Sequence, residues 1–313
     1  MHRKEIELRI LGKRLRLKSS TGEAISGYAY ISPWIIGFLV FTLGPFVASF
    51  GLSFMDYAIA TPPRWAGLSN FKRAFLNDNL FWSSLKRTAI YVSSYVPVGI
   101  VISLLLAVLL NQPVQGKAIF RTLFFLPTLT PAVAAALLWK WLLHPEVGLV
   151  NTILWEWFRV PGPGWLSSPD WALPSIVMIA LWGSVGGGRM IIFLAALQGV
   201  PQELYESAEI DGAGPIHKFW HITVPIITPS IFFNLVTGII GAFSVFSISY
   251  IGTGGGPAYA TWFYMLHLVR QALDYFDFGY ACALAWILFV ILIVFTALQV
   301  RLSERWVYYA GGA

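Results

Sequence analysis

The stretch ELYESAEIDGAGPIHKFWHITVP, residues 203–225, is a polar interruption in a chain that is otherwise mostly apolar. It holds four of the chain's 15 acidic residues, namely Glu203, Glu206, Glu209 and Asp211. Long apolar segments flank it on both sides, so we expect a loop or short-helix element at a membrane surface. A loop that concentrates acid, glycine and proline between membrane helices is typical of a surface offered to a partner in the aqueous phase.

The composition of the whole chain makes a lipid bilayer its main solvent. Of the 313 residues, 57% are hydrophobic and 12% are charged, whereas a soluble domain carries about 25% charged residues. A soluble core could not hide this much apolar surface. The net charge of +6 fits basic residues beside a membrane better than nucleic-acid binding. The only cysteine, Cys282, excludes an intrachain disulfide and a cysteine-based metal site.

Apolar segments near or above the roughly 20 residues that span a bilayer predict six transmembrane helices. The predicted helices are 30–54, 88–110, 126–144, 172–196, 226–250 and 279–301. They form one all-α, polytopic membrane domain over residues 30–301, between a basic tail at 1–29 and a short tail at 302–313. The connections 55–87 and 145–171 mix aromatic residues, proline and glycine with polar residues, which predicts small ordered caps.

Basic residues predict the orientation of these helices. The N-terminal tail holds seven Lys and Arg, and cytoplasmic segments of membrane proteins collect such residues. Placing that tail in the cytoplasm also places there the loops near 111–125 and 197–225 and the C-terminal tail. That side then carries about twelve basic residues against about seven on the other side. We therefore expect both termini to be cytoplasmic.

Residues 201–225 predict a helix–turn–helix hook. Pro201 suits a first helical position, and carboxylates in the first turns suit the positive end of the helix dipole. Gly212 and Gly214 can adopt the left-handed conformation that ends a helix, after which we expect a second short helix over 215–221. The alternative is an amphipathic loop that lies on lipid headgroups, but anionic lipid would repel its acidic residues.

The same residues resemble the EAA loop of binding-protein-dependent ABC importer permeases. The pattern of that family is E-x-A-x-x-D-G-A, followed after a spacer by F-x-x-I-x-x-P. The matching positions are Glu206, Ser207, Ala208, Asp211, Gly212, Ala213, Phe219, Ile222 and Pro225, with Gly214 beside the turn. Ser207 stands where the family's triplet has its middle alanine, which is a mild departure between small residues.

The resemblance extends along most of the chain. Similar segments are GLSNFKRAF at 67–75, RTLFFLP at 121–127, TGGGP at 253–257 and FGYACA at 278–283. They most resemble the first permease subunit of carbohydrate importers of the maltose and glycerol-3-phosphate type. The resemblance implies the type I ABC importer permease fold. It also implies a permease subunit that forms half of the translocation pathway for a sugar, an oligosaccharide or a polyol phosphate, and that is not itself an enzyme.

The resemblance implies several partners in the cytoplasmic membrane of a bacterium or archaeon. A second permease, usually a different chain, would complete the pore, and an external solute-binding protein would deliver the solute. Two cytoplasmic ATPase subunits would dock on the EAA loops, where Glu206 would pair with a basic residue. ATP and Mg²⁺ would belong to the ATPase, with no cofactor in this chain. In agreement, the sequence has no G-x-x-x-x-G-K-[ST] run.

A polar stripe on the predicted fifth helix is the first candidate for contact with the solute. Its members recur at steps of three and four and are Asn234, Thr237, Gly241, Ser244 and Ser247. This spacing places them on one helical face. Polar groups that line a cavity in the membrane would suit a polyhydroxyl solute. Helix–helix packing is the alternative, since small and polar residues also mediate it; for Asn234 we favour the solute pathway.

Arg189 is the second candidate, because it follows the run GSVGGG at 183–188, which could locally loosen the predicted fourth helix. A buried Arg could meet an anionic solute or a carboxylate of a partner helix. It could also extend to the interface, since the helix end is only about 10 Å away at 1.5 Å per residue. His217 and His221 are spaced i, i+4, but no Glu follows His217 as in H-E-x-x-H, so no metal site is predicted.

Two other classes of function fit the sequence less well. A secondary transporter would need Asp, Glu or His within the membrane for ion coupling, yet every acidic residue maps to a predicted tail, loop or helix end. A polytopic membrane enzyme would need a cluster of reactive groups at one interface, and the sequence shows none. We therefore expect a transport subunit.

Overall fold

The protein is built from helices joined mostly by short connections. The computed structural model describes residues 5–10, 13–59, 61–113 and 115–308. Its α-helices are α1 (Ser19–Phe38), α2 (Gly44–Ser53), α3 (Ser69–Lys72), α4 (Asn79–Asn111), α5 (Lys117–Phe125), α6 (Ala132–Leu142), α7 (Leu149–Phe158), α8 (Pro169–Ser184), α9 (Gly188–Gln198), α10 (Gln202–Ile210), α11 (Pro215–Lys218), α12 (Val224–Phe243), α13 (Ser247–Gly252), α14 (Tyr264–Leu273) and α15 (Phe278–Ser303). Two antiparallel hairpins pair β1 (Glu5–Ile10) with β2 (Lys13–Lys18) and β3 (Met55–Ala58) with β4 (Thr61–Trp65).

Six stretches of helix can cross a membrane when each of two bent helix pairs is counted as one crossing. Four are continuous, at Glu23–Ser53, Asn79–Asn111, Pro215–Phe243 and Phe278–Ser303, and the bent pairs are α5 with α6 and α8 with α9. The predicted all-α, polytopic membrane fold is confirmed. The second crossing starts well before the expected residue 88. Hydropathy detects only the apolar part of a helix, and the first turns of this one are polar. The helix begins at Asn79 because Asp78 caps it, accepting hydrogen bonds from two backbone N–H groups.

Helix α4 lies at the centre of the fold. One buried cluster joins it to α8, α12, α14 and α15, and a second joins it to α9 and α12. Polar contacts also cross between helices, since the Ser103 hydroxyl donates a hydrogen bond to the Val185 carbonyl at 2.8 Å. This bond ties α4 to the point where the chain bends between α8 and α9.

The first crossing lies at the edge of the bundle. None of its most apolar window is buried inside the chain. Only α2 is packed, along α15, where the Trp286 indole donates to the Ser49 hydroxyl at 3.1 Å and the Phe46 and Trp286 rings are 4.7 Å apart. Helix α1 therefore presents its apolar side chains outward along most of its length.

Three of the predicted membrane helices are wrong as single helices. The third, expected at 126–144, turns by 96° between α5 and α6, because Pro127 and Pro131 lack the N–H that a helix needs. The fourth, expected at 172–196, bends by 51° between α8 and α9. Gly186 and Gly187 lie at this bend, and glycine has a low helix propensity. The fifth ends at Phe243 and resumes as α13, at a place without proline or glycine to signal the break.

Proline widens a helix instead of breaking it at two other places. A π-helical turn at Leu39–Leu43 precedes Pro45, and another at Phe219–Thr223 precedes Pro225. A proline cannot donate to the carbonyl one turn back, and a wider turn makes room for its ring. The helix therefore continues from Pro215 to Phe243, and the expected separate helix at 215–221 is wrong.

The connection between α9 and α12 lies at one end of the bundle. Because successive crossings run in opposite directions, the β3–β4 hairpin, α3, α7 and α14 lie at the other end. Ordered contacts hold these caps together. In the connection around α7, for example, the Asn151 amide donates to the Pro145 carbonyl at 3.0 Å and accepts from the Trp165 indole at 2.6 Å.

Candidate functional site

Residues 202–225, hereafter the hook, leave the end of the bundle and return to it. Helix α10 ends at Ile210, and Gly212, at φ +78°, reverses the chain. Its N–H donates to the Glu209 carbonyl at 3.0 Å, and the next N–H donates to the Ala208 carbonyl at 2.8 Å. Glycine tolerates this left-handed conformation, so Gly212 makes the predicted turn. Gly214 does not, because its backbone is extended at φ −70° and ψ 166°.

Two side-chain bonds fix the shape of the hook. The Lys218 ammonium lies 2.6 Å from the Glu209 carboxylate, and the hydroxyls of Tyr205 and Thr223 are 2.8 Å apart. Both bonds connect α10 to the second limb of the hook. The hook is therefore a preformed unit that continues directly into α12.

The exposed surface of the hook combines acidic with apolar side chains. The side chains of Ile210, Ile216 and Trp220 are 88%, 77% and 61% exposed. Glu206 is also exposed and forms no ion pair with any residue that the structure describes. Exposed apolar groups of this size mark interaction surfaces when they cluster.

The residues that match the motif fall into an exposed group and a partly buried group. Those that are exposed are Glu206, Ser207, Asp211, Gly212 and Gly214, and those that are partly buried are Ala208, Ala213, Phe219, Ile222 and Pro225. Of the second group, Ile222 packs against the buried cluster that joins α4, α9 and α12. A cleft of about 750 Å³ separates the hook from the end of α4, with Asn111, Tyr205 and Trp220 in its walls.

A second site lies where the three interrupted crossings meet. The bends before α6, between α8 and α9, and between α12 and α13 enclose a cavity of about 310 Å³. Its polar lining includes Thr130, Ser184 and Ser247, and its rings are those of Trp182 and Phe246. Interrupted helices leave backbone groups without intrahelical partners, and such places at membrane depth usually line a cavity.

The predicted polar stripe does not lie on one helix. Thr237 and Gly241 are exposed on α12 and Ser244 follows its last turn, while Ser247 belongs to α13 and lines the cavity. Asn234 is only 1% exposed, and its amide donates back to the Ser230 carbonyl at 2.9 Å. The structure thus places Asn234 on the packed face and three stripe members on the open face.

Arg189 lies in a slot between α4 and α12. Its guanidinium is 4.9 Å from the centre of the Tyr95 ring, within range of a cation–π interaction. A methyl group at Gly99 would collide with Nη1, and one at Gly238 would stand 3.1 Å from Nη2. Nη1 is buried without a hydrogen-bond partner among the described residues. Arg189 therefore points between helices and does not extend to the interface.

Sequence reasoning missed Thr130, Trp182 and Ser184 as cavity residues. A usable signal existed for Thr130, since the prolines at 127 and 131 flank it and break the helix there. Trp182 lies just before the glycine-rich run at 183–188, and Ser184 lies within it. No local signal identified the break at 244–246 that completes the cavity.

Comparison with known proteins agrees with this architecture. The family described as "Binding-protein-dependent transport system inner membrane component" matches residues 99–308. The probable ABC transporter permease protein YesP of Bacillus subtilis (strain 168) is 41% identical over 295 residues, which cover 93% of this chain and 94% of YesP. The lactose transport system permease protein LacF of Rhizobium radiobacter is 32% identical over 279 residues, covering 88% and 93%.

A solved structure shares the fold. One chain in the crystal structure of a bacterial alginate ABC transporter, in complex with an alginate pentasaccharide-bound periplasmic protein, superposes with a TM-score of 0.81. The two chains are 24% identical, and the match covers 91% of this chain and 96% of the other. The family match spans the hook, the cavity and Arg189, and the relatives are transport permeases, not enzymes. The chain therefore belongs to the inner membrane components of binding-protein-dependent transport systems and is a multi-pass permease of an ABC transporter.

Proposed function

We propose that this permease forms half of the translocation pathway of an importer for a carbohydrate and that its hook receives a separate ATPase. The observation that carries the proposal is the exposed surface of the hook, with its acidic and apolar side chains. A docked partner would remove its exposed apolar side chains from water, which contributes about 25 cal/mol per Å² of apolar area. The relatives are named for transport, and one of them for lactose.

Glu206 is one of three exposed acidic residues of the hook, with Glu203 and Asp211, that have no ion pair among the described residues. Glu209 is already paired with Lys218, whereas Glu206 is exposed and free to meet a basic residue of the ATPase. Ser207, Ala208 and Ala213 are small enough to allow close approach of a partner backbone. Asp211 and the turn at Gly212 complete the docking surface. ATP and Mg²⁺ belong to the ATPase in this proposal.

The hook also provides a route for force. Because the helix from Pro215 to Phe243 is continuous, a displacement of the hook moves a rod about 43 Å long at 1.5 Å per residue. The far end of this rod borders the cavity where the interrupted helices meet. ATP-driven movement of the hook would therefore reshape the cavity and change its access.

The ATPase must act in the cytoplasm, so the hook end of the bundle is cytoplasmic in this proposal. With six crossings, the beginning of α1 and the end of α15 lie on the same side. Helix α1 offers an exposed apolar surface to a second permease, which would supply the other half of the pathway. The opposite end would face an external solute-binding protein.

The cavity between the interrupted helices is the proposed place of solute passage. Hydroxyls of Thr130, Ser184 and Ser247 can exchange hydrogen bonds with a polyhydroxyl solute, and the rings of Trp182 and Phe246 can pack on its apolar faces. Thr237, Gly241 and Ser244 extend the open polar face from this cavity toward the hook. Arg189, in its slot between α4 and α12, is available to a phosphate or carboxylate on the solute.

Charge reversal at Glu206 tests the coupling. Glu206→Lys should weaken binding of the ATPase by about 2–5 kcal/mol, as expected for a like-charge contact in an interface, without affecting membrane insertion. Co-purification of the ATPase, followed by uptake in reconstituted vesicles, measures the effect. Glu304→Lys reverses an exposed acid just after α15 and is the matched control. Normal ATPase recovery with Glu206→Lys would contradict the proposal.

A further inference from the structure

The end of the bundle opposite the hook contains a polar groove. Its volume is about 360 Å³, in the size range of small-ligand pockets. One wall is the segment before α4. The other walls are α14, the residues just before it, and the connection from α14 to the start of α15. The residues that line it are Arg73, Asn77, Asp78, Leu80, Trp262, His267, Gln271, Tyr275 and Asp277.

Asp78 anchors the floor of this groove. Its Oδ1 caps α4 by accepting from the N–H groups of Leu80 and Phe81 at 2.9 and 3.2 Å. Its Oδ2 accepts from the Tyr280 hydroxyl at 2.6 Å and from His267 Nε2 at 2.8 Å. Burial raises the pKa of Asp78, but the hydrogen bonds from Tyr280 and His267 outweigh it and hold that pKa below its usual value. The carboxylate is therefore ionised and fully bonded.

His267 holds an aromatic ring in place. Its Nδ1 accepts from the Trp262 indole N–H at 3.2 Å, so its proton lies on Nε2 and the ring is neutral. Burial keeps the pKa of His267 below its usual value although Asp78 opposes this effect. Gly255, at φ +90°, lets the indole approach, because a methyl group there would stand 2.5 Å from the Trp262 ring.

The remaining charges of the groove are also fixed by its own residues. The Arg73 guanidinium lies 2.6 Å from the Asp277 carboxylate and 4.1 Å from the centre of the Tyr280 ring. Asp277 in turn caps α15 by accepting from the Tyr280 N–H at 3.2 Å. Two carboxylates stand against one guanidinium here, which disfavours an anionic ligand.

Two amide side chains in the groove are left without partners. Gln271 is only 8% exposed, yet its side-chain amide forms no hydrogen bond within the described chain. The residue is mostly covered, but its amide atoms remain accessible from the groove, so a ligand or water there can exchange hydrogen bonds with them. The exposed Asn77 amide on the groove wall is likewise unbonded within the described chain.

We propose that this groove is a subsite for a neutral sugar ring at the external face of the permease. Gln271 and Asn77 would exchange hydrogen bonds with sugar hydroxyls, and Trp262 and Tyr275 would pack on the apolar faces of the ring. The hydrogen-bond chain Asp78–His267–Trp262 positions the indole ring and leaves the two amide side chains available for the ligand. The choice of sugar as the ligand class rests on the proposed function, whereas the geometry of the groove is independent of that function.

A cysteine reporter tests the subsite in the importer purified with its partner chains. On a Cys282→Ser background, Leu80→Cys places a thiol in the groove wall, and Leu76→Cys, at a 77% exposed position outside it, is the matched control. The rate of maleimide labelling is measured without sugar and with lactose. It is also measured with two single-ring sugars, neutral galactose and anionic galacturonate. Saturating lactose or galactose should slow labelling of Leu80→Cys at least about twofold, and should leave Leu76→Cys unchanged.

Gln271→Leu provides the second arm of this test. The substitution is close in volume and removes an unpaired amide, so the melting temperature should hold or rise while protection by lactose is lost. Failure of both neutral sugars to slow labelling would overturn the proposal, as would equal protection by galacturonate or protection only by added binding protein. The labelling needs neither ATP nor transport, so its failure is distinguishable from failure of ATPase docking at the hook.

Discussion

At the scale of single residues, Arg189 shows how the bundle accommodates a charge without an acid. A charged side chain within a membrane is costly and usually marks a functional place. Here Tyr95 offers its ring face, and two glycines leave the space that the guanidinium fills. Its buried Nη1 has no hydrogen-bond partner among the described residues, so Arg189 retains capacity for a further contact when the helices move or a solute passes.

The slot gives a first prediction. Gly99→Ala should push the guanidinium out of its place and lower the stability of the chain by about 1–3 kcal/mol, the usual cost of overpacking. Thermal unfolding in detergent measures this loss. Gly241→Ala is the matched control, since its added methyl meets nothing within 4 Å.

A double variant shows whether Arg189 causes the effect. In an Arg189→Leu background, Gly99→Ala should cost much less, because the atom it strikes has gone. Residues in contact typically couple by about 0.5–3 kcal/mol. Equal losses in both backgrounds would mean that Gly99 acts through α4 alone and that the slot is unimportant.

At the scale of elements, the breaks in three crossings matter more than the helices themselves. Two of the breaks have a signal in the sequence. Prolines at 127 and 131 lie at the break before α6, and glycines at 186 and 187 lie at the break between α8 and α9. The third, at 244–246, divides the predicted stripe between α12 and α13. As a result, Ser247 lines the cavity and Asn234 packs against neighbouring helices, although their spacing had suggested a shared face.

This division predicts different outcomes for two similar substitutions. Ser247→Leu should fill part of the cavity and reduce uptake about tenfold or more, as a loss of over 1.4 kcal/mol of transition-state stabilisation implies. Asn234→Leu should change uptake little, since the Asn234 amide bonds only to its own helix. Uptake by reconstituted complexes, with complex assembly checked by gel filtration, compares the two. The opposite ranking would return Asn234 to the solute pathway.

At the scale of the whole molecule, the first crossing is only partly packed. The side chains of Trp34 and Phe41 are 70% and 81% exposed, while α2 rests on α15. A second permease would cover this surface by close packing, which holds helices together in lipid. In the proposed complex, α1 therefore belongs more to the interface between permeases than to this chain's own bundle.

Photo-crosslinking tests that arrangement. A photoreactive phenylalanine analogue at Phe41 should form an adduct with the second permease in the assembled complex. The same analogue at Ile59, in the connection between β3 and β4 at the other end of the molecule, is the control. Adducts with lipid alone, from both Phe41 and Trp34, would contradict the proposed interface.

The sequence by itself determined the membrane location, the number of crossings, the family resemblance and the turn of the hook at Gly212. These follow from local properties, namely the hydropathy of a segment and the φ angles that glycine tolerates. Only the tertiary structure decided that Glu209 is paired while Glu206 has no ion pair among the described residues, that Gly99 and Gly238 form one slot for Arg189, and that Asp78 meets His267. Contacts between residues far apart in the chain leave no period or spacing in the sequence, because the packing of whole helices brings them together.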